Sequence, residues 1–157
     1  MALRRVVVEG DDILRKKCRP VPEVTDRIKT MMADMVETMR DSNGVGLAAP
    51  QVGLLKRMFV AEPEPGEVYY MINPELSDAE GLQESNEGCL SIPGYIGTVE
   101  RPEKIKVKAL DLDGNEKEYQ FEGFHAIVMC HEYDHLNGVL YKDRAKAMYE
   151  LGPEEEL

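Results

Sequence analysis

The chain has 157 residues, of which 43% are hydrophobic and 31% are charged, and its formal net charge at neutral pH is −11. This composition is that of an ordinary globular protein, and no apolar run approaches the roughly 18 residues that a membrane-spanning helix requires. The acidic balance argues against direct nucleic-acid binding, because proteins that grip phosphates need a basic surface. We therefore expect one globular domain over residues 1–157, with no membrane segment.

The cysteines and the N-terminal segment indicate the compartment. Three cysteines scattered at positions 18, 89 and 130 do not form a disulfide framework, because the number is odd and the spacing is irregular. The first residues, MALRRVVVEGDD, turn acidic after three valines and lack the long apolar stretch of a secretory signal. We expect the protein to be cytoplasmic.

The first predicted element is a helix over residues 25–41. Thr25 is a suitable N-cap, and apolar side chains follow it at helical spacing. The sequence Asn43-Gly44 ends the helix. The apolar stripe consists of Ile28, Met32, Met35, Val36 and Met39.

Between residues 57 and 120 the pattern changes to short extended segments separated by glycine and proline. Asp113-Gly114 between the last two segments is typical of a β-hairpin turn. A second helix then runs from about Gly123 to Leu136 and ends at Asn137-Gly138. The predicted strands are Arg57–Ala61, Tyr69–Ile72, Ile105–Leu110 and Glu116–Phe121. This order predicts an α+β fold with an N-terminal helix, mostly antiparallel sheets and a late helix.

The late helix carries the motif His131-Glu132-Tyr133-Asp134-His135. Residues four apart on a helix lie on one face, so the two histidines are able to bind one metal ion. Glu132 is rotated by about 100° from His131, which suits a general base for a metal-bound water better than a ligand. The motif also occurs by chance on solvated helices, so the third ligand decides its meaning.

Known zinc peptidases take their third ligand from a residue after this motif. The metzincin pattern requires a histidine at position 141, where this chain has Tyr141. The other arrangement uses a glutamate on a later helix, and here Glu150 stands before a Gly-Pro break in an acidic tail. Neither arrangement fits well.

The remaining histidine and the three cysteines are the other candidates for the third ligand. His125 lies about 120° away from the ligand face, and Cys130 also points away from it. Cys18 has no companion motif. Cys89 lies in a segment with glycine and Pro-Gly that we expect to be bent and irregular, and able to present a thiolate. One cysteine with two histidines is a known catalytic zinc ligand set, so Cys89 is the best candidate.

Three blocks of this sequence resemble the peptide deformylase family. They are residues 44–51 (GVGLAAPQ), 87–91 (EGCLS) and 131–135 (HEYDH), in the family's order and at family-like separations, and the resemblance spans nearly the whole chain. It implies a metal-dependent hydrolase that removes the N-formyl group from the formyl-methionine of newly synthesised polypeptides and releases formate. It also implies one divalent ion held by Cys89, His131 and His135. Fe²⁺ is the expected physiological ion, and Zn²⁺, Ni²⁺ or Co²⁺ can substitute for it.

The resemblance also implies roles in the reaction. Glu132 would accept a proton from the attacking water and pass it to the leaving amine. The developing oxyanion needs hydrogen-bond donors, and the family assigns these to the side-chain amide at Gln51 and the backbone N–H at Leu90.

A substrate-binding surface is predicted beside the metal. Phe124, Ile127 and Val128 share a helix face with His131, so they form either an apolar wall for a methionine side chain or part of the core. Glycines in the first block allow a substrate backbone to approach closely, and the family uses the last of them for main-chain hydrogen bonds to the peptide. The predicted backbone-binding segment is Gly44, Val45 and Gly46.

Two other functions fit parts of the sequence. The histidine motif alone also fits a zinc endopeptidase, which would need a third ligand beyond residue 135 and a long substrate groove. A structural metal-binding or interaction module would leave the glutamate base and the glutamine loop unexplained. The resemblance implies nascent polypeptides as partners and, in some bacterial members, docking on the ribosome near the exit tunnel through a basic C-terminal helix. The acidic residues 154–156 of this chain argue against docking through the tail.

Overall fold

A computed structural model describes residues 2–152, so the acidic residues 154–156 lie outside the described part of the chain. The fold is α+β, as predicted. Within residues 2–152, no helix has both the length and the apolar character needed to cross a membrane. The elements in chain order are α1 Asp26–Asp41, β1 Gly46–Ala48, β2 Met58–Glu64, β3 Glu67–Glu80, β4 Gln83–Cys89, β5 Ile92–Arg101, β6 Lys104–Leu110, β7 Glu116–Glu122, α2 Phe124–Leu136, α3 Tyr141–Arg144 and β8 Ala147–Glu150.

The strands form two sheets in which all the pairings are antiparallel. The larger sheet has the order β1-β2-β3-β6-β7, and the smaller sheet has the order β4-β5-β8. Strands β6 and β7 pair from Lys104 opposite Glu122 to Leu110 opposite Glu116, which confirms the hairpin predicted at Asp113-Gly114.

The larger sheet is covered by a helix on each face. Side chains alternate between the two faces of a strand, so neighbouring residues of β2 enter different clusters. Met58 and Val60 pack with the apolar stripe of α1, whereas Phe59 and Ala61 pack with residues of α2. The result is a three-layer arrangement in which α2 is held against the sheet by a buried core.

Helix α1 forms as predicted. The Thr25 side chain accepts a hydrogen bond from the backbone N–H of Ile28 at 3.3 Å and caps the helix. Such a cap stabilises a helix by about 1 kcal/mol. The predicted stripe is buried, and Asn43 follows the helix with a φ of +58°, in the left-handed region. The same residue type and conformation end many helices.

Four strands were not predicted, and one of them carries Cys89. Strand β4 has the sequence QESNEGC, which lacks the apolar alternation of a half-buried strand. Proline and glycines interrupt β5, yet the two strands pair along most of their length. The expectation that Cys89 lies in an irregular segment is therefore wrong. It is the last residue of β4, directly before a two-residue turn, because pairing with β5 supplies the backbone hydrogen bonds that local composition does not favour.

The C-terminal end of α2 is fixed by contacts from distant segments. The carbonyl of Leu136 accepts hydrogen bonds from the Cys18 backbone N–H at 2.8 Å and from the Arg57 guanidinium at 3.0 Å. Arg57 also donates to the Asn137 side chain at 3.0 Å. These contacts satisfy a carbonyl that a helix end otherwise leaves without a partner.

Substitution of Gly138, which follows α2, tests the close packing at the C-terminal end of this helix. It has a φ of +74°, and a Cβ atom at this position would lie 2.5 Å from the carbonyl oxygen of Arg15. We expect Gly138→Ala to reduce the free energy of unfolding by about 3 kcal/mol, because backbone strain and overlap with a carbonyl group add. Gly114 is the control, since its φ is +80° but nothing lies within 4 Å. Gly114→Ala should cost only about 1 kcal/mol in chemical denaturation. Equal losses would show that the contact with Arg15 is unimportant.

Candidate metal centre

The structure brings together the three residues predicted as metal ligands. The ligand atoms of Cys89, His131 and His135 lie within 4.8 Å of one another. Cys89 Sγ is 3.4 Å from His135 Nε2, and the centres of the two imidazole rings are 5.1 Å apart. The cysteine comes from the end of β4 and the histidines come from α2, so the site forms where the smaller sheet meets this helix.

Glu87 fixes the ring of His131. Its Oε1 atom lies 2.8 Å from His131 Nδ1, and its two oxygens each accept a hydrogen bond from the Arg101 guanidinium at 2.8 Å. Burial alone would raise the pKa of Glu87, but the hydrogen bonds from Arg101 and His131 lower it to about 2. An ionised carboxylate only accepts hydrogen bonds, so Nδ1 of His131 carries the hydrogen and Nε2 is left for a metal.

Arg101 extends this contact into a buried network. Its guanidinium donates to Asp134 Oδ2 at 2.8 Å, and Arg144 donates to the same carboxylate at 2.6 and 3.1 Å. The exposed fraction of Arg101 is only 2%. The roles of Glu87, Arg101 and Asp134 were not predicted from the sequence. Two of them stand inside the motif blocks EGCLS and HEYDH, but nothing in the spacing connects Arg101 to either.

The two histidines differ in protonation. Burial and the nearby His131 lower the pKa of His135 well below its usual range, so this ring is neutral and able to ligate. Burial alone would also lower the pKa of His131, but contacts with Cys89 and Glu87 raise it well above its usual range. Binding of a metal ion at His131 would therefore require the release of a proton.

Glu132 directly follows His131 on α2, and its side chain is buried. The residue is 4% exposed, and its Oε1 atom has no hydrogen-bond partner among the described residues. Burial raises the pKa of the Glu132 carboxyl group to about 7, against a smaller lowering by His131. A carboxyl group with a pKa near neutrality suits proton transfer to and from water at physiological pH.

Gln51 is held so that its amide nitrogen faces the site. Its Oε1 atom accepts a hydrogen bond from the Ala48 backbone N–H at 2.9 Å, and its Nε2 atom donates to Ser91 Oγ at 3.0 Å. The same nitrogen lies 3.5 Å from Cys89 Sγ. Leu90 directly follows Cys89 in the turn between β4 and β5. Both residues predicted as oxyanion donors are therefore close to Cys89 in the fold.

The residues predicted to bind substrate have different environments. Val45 and Phe124 are exposed, at 43% and 51%, and Ile127 is half-buried. Val128 is 3% exposed and packs in the core against the larger sheet, so the core alternative holds for this residue. Gly44, at the start of the predicted backbone-binding segment, lies close to the Leu90 side chain.

The residues rejected as ligands lie outside the cluster. His125 Nε2 is 2.6 Å from Glu67 Oε1 and belongs to an aromatic group on the larger sheet. Cys18 and Cys130 are buried, and burial raises the pKa of each thiol to about 11. Both remain protonated and have the environment of structural cysteines.

The ligand cluster fits a divalent metal ion. The 3.4 Å between Cys89 Sγ and His135 Nε2 is the spacing that two donors adopt when each lies about 2.0–2.3 Å from one tetrahedral ion. One thiolate with two imidazoles leaves a fourth position for water or substrate, as in catalytic sites. Glu132 directly follows His131 on α2, and its carboxyl group is close enough to that ring for His131 to lower its pKa against the effect of burial.

Comparison with known proteins agrees with this site. The family model for polypeptide deformylase matches residues 3–150. Peptide deformylase 1 of Clostridium perfringens is 53% identical over 144 residues, which make up 91% of this chain and 98% of that protein. The crystal structure of peptide deformylase from Thermotoga maritima has a TM-score of 0.90 at 41% identity and covers 92% of this chain and 99% of its own.

A second crystal structure gives the same result. The peptide deformylase from Synechococcus elongatus, in complex with actinonin, has a TM-score of 0.87 at 38% identity and covers 90% of this chain and 78% of its own. The matched residues include both sheets, α2 and the three motif blocks. The resemblance found in the sequence is therefore confirmed, and this chain belongs to the polypeptide deformylase family.

Proposed function

We propose that this chain removes the N-formyl group from the formyl-methionine of newly synthesised polypeptides and releases formate and a free amino terminus. The observation that carries this proposal is the convergence of three metal-binding side chains with a buried glutamate and an oriented glutamine amide. Amide hydrolysis needs an activated water and a stabilised oxyanion, and this group of residues has the chemistry for both. Membership of a family of metal-dependent hydrolases supports the same activity.

We propose further that Cys89, His131 and His135 hold one divalent ion. When bound, the ion lowers the pKa of a bound water and polarises the formyl oxygen. The thiolate and imidazole donors suit Fe²⁺, Zn²⁺, Ni²⁺ and Co²⁺ alike. Fe²⁺ is our choice for the physiological ion, on the basis of the family.

The residues of the chain then supply proton transfer and oxyanion binding. Glu132 accepts the proton of the attacking water and delivers it to the leaving amine, a role that suits its pKa of about 7. The Gln51 side-chain amide and the Leu90 backbone N–H donate to the oxygen of the formyl group as it gains charge. Ser91 supports this role because it holds the Gln51 amide nitrogen at 3.0 Å.

Substrate binding is proposed along the first motif block and the start of α2. The segment 44–46 binds the peptide backbone, and Phe124 and Ile127 contact the methionine side chain, with Val128 behind them in the core. We place the reaction in the cytoplasm, where nascent formylated chains emerge. Docking on the ribosome, where it occurs, would use a surface other than the acidic residues 154–156.

The alternative of a zinc endopeptidase receives no support from residues after the histidine motif. Tyr141, which stands where a metzincin has its third histidine, stacks on the His131 ring with the ring centres 5.9 Å apart. Glu150 pairs with Tyr95 in the smaller sheet and is not part of the ligand cluster. The proposed third ligand, Cys89, precedes the histidine motif in the sequence, which favours a deformylase over a zinc endopeptidase.

Metal content provides the first test. We expect about one divalent ion per chain, because three donors converge on one point. Cys89→Ala should lose most of this metal, because it removes the thiolate. Cys18→Ala and Cys130→Ala are matched controls that should keep it, since both residues lie outside the cluster. Elemental analysis of the purified proteins measures the outcome, and full metal content in Cys89→Ala would contradict the ligand assignment.

Activity provides the second test. Wild-type protein loaded anaerobically with iron should release formate from formyl-Met-Ala and leave an internal casein-like peptide uncut. Glu132→Gln preserves the size of the side chain but not the base, so formate release should fall by roughly 10²–10⁴-fold while the metal remains. Activity within about threefold of wild type would remove Glu132 from the mechanism. Cleavage of the internal peptide by wild type would favour the endopeptidase.

A further inference from the structure

Gly46 approaches Glu132 more closely than a residue with a side chain is able to. A Cβ atom at position 46 would overlap Glu132 Oε2 and would lie 2.8 Å from both Cδ and Cγ of the same side chain. Carbon atoms of packed side chains normally approach to about 3.5–4.0 Å. The glutamate carboxylate therefore occupies the space that a side chain at position 46 would need.

Neither partner is free to move aside. Gly46 is buried in β1 and pairs with Ala61 of β2, so its backbone is fixed within the larger sheet. Glu132 is 4% exposed and lies on α2, which is buried on most of its surface. The overlap reaches Cγ, close to the helix backbone, so turning the carboxylate alone would not relieve it.

We propose that Gly46 is a positioning residue for Glu132. The absence of a side chain at position 46 leaves the space that Oε2, Cδ and Cγ of Glu132 occupy. This close contact fixes the position of the Glu132 carboxylate relative to Cys89, His131 and His135. The catalytic consequence rests on the proposed function, whereas the packing relation between the two residues does not.

This role differs from the binding of substrate by the backbone of Gly46. A substrate-binding role predicts a change in KM that does not depend on the residue at position 132. A positioning role predicts a loss in kcat, because a displacement of about 1 Å at a reacting group costs on the order of 10²-fold in rate. It also predicts that the loss in thermal stability caused by a side chain at position 46 depends on the size of residue 132.

The experiment is a set of double-mutant cycles read by thermal unfolding of the metal-loaded protein. Gly46→Ala should lower Tm by roughly 5 °C in the wild type. The same shift should appear in Glu132→Gln, which keeps all the overlapping atoms in place without the charge. In Glu132→Ala, where those atoms are gone, the shift should fall below about 2 °C. If Gly46→Ala alone does not fold, recovery of folding in the double variant with Glu132→Ala gives the same answer.

Gly44→Ala is the matched control. A Cβ atom at position 44 would meet only the tip of the Leu90 side chain at 3.0 Å, together with a backbone oxygen at 3.6 Å. Its effect on Tm should be the same with Glu or Ala at position 132, because the two changes do not share a contact.

Kinetics complete the test. Gly46→Ala should keep its metal and lose roughly 10²-fold in kcat, with KM within about threefold of wild type. An equal Tm loss in the Glu132→Ala background, or a raised KM with unchanged kcat, would overturn the proposal. If the wild type is inactive but the Tm loss of Gly46→Ala still depends on the size of residue 132, the proposed function is wrong. The packing relation between Gly46 and Glu132 would then still hold.

Discussion

The proposed metal centre depends on one buried interaction, the ionic contact of Arg101 with Glu87. This pair joins β5 to β4 and holds the carboxylate that orients His131. Asp134 joins the same guanidinium to α2, and Arg144 joins α3 to Asp134. Two cations therefore balance two carboxylates in a region where an unpaired charge would cost several kcal/mol. Arg101, Glu87 and Asp134 are buried, so loss of one of these three would leave the other two without full compensation, and the network specifies how the smaller sheet meets α2.

The network explains how ligands distant in sequence meet with little freedom. Cys89 lies two residues after Glu87 on β4, beyond a shift in the strand register. The contact of Glu87 that orients His131 therefore also holds the strand that carries Cys89. Tyr141 stacks on the His131 ring and packs beside it. A site built on a strand and a helix in this way is held more firmly than one built on loops. Firm placement matters because proton transfer and oxyanion binding both depend on short distances.

The sequence predicted the elements and residues whose signals are local. Helix α1, the β6–β7 hairpin and α2 follow from capping, turn and periodicity patterns, and the two histidines follow from their motif. Cys89 was reached by excluding the other candidates and by the resemblance to the family. Strands β4 and β5 were missed because their polar and glycine-rich sequences form strands only when paired with each other. Arg101 was missed because its partners lie on other elements. The contact of Gly46 with Glu132 was hidden for the same reason, since no one-dimensional pattern records a close approach between a strand and a helix.

The most direct test of the central claim is metal affinity in Glu87→Gln. This change keeps the shape of the side chain but removes the charge that Arg101 and His131 share. We expect the dissociation constant for Zn²⁺, measured by competition with a chelator, to rise about 10–100-fold, as is usual when a partner of a ligating histidine is lost. Glu84→Gln on the same strand is the control, because the Glu84 side chain is exposed and forms an ion pair with Lys146 on the protein surface. The metal affinity of Glu84→Gln should be that of wild type. Wild-type affinity in Glu87→Gln would contradict the account.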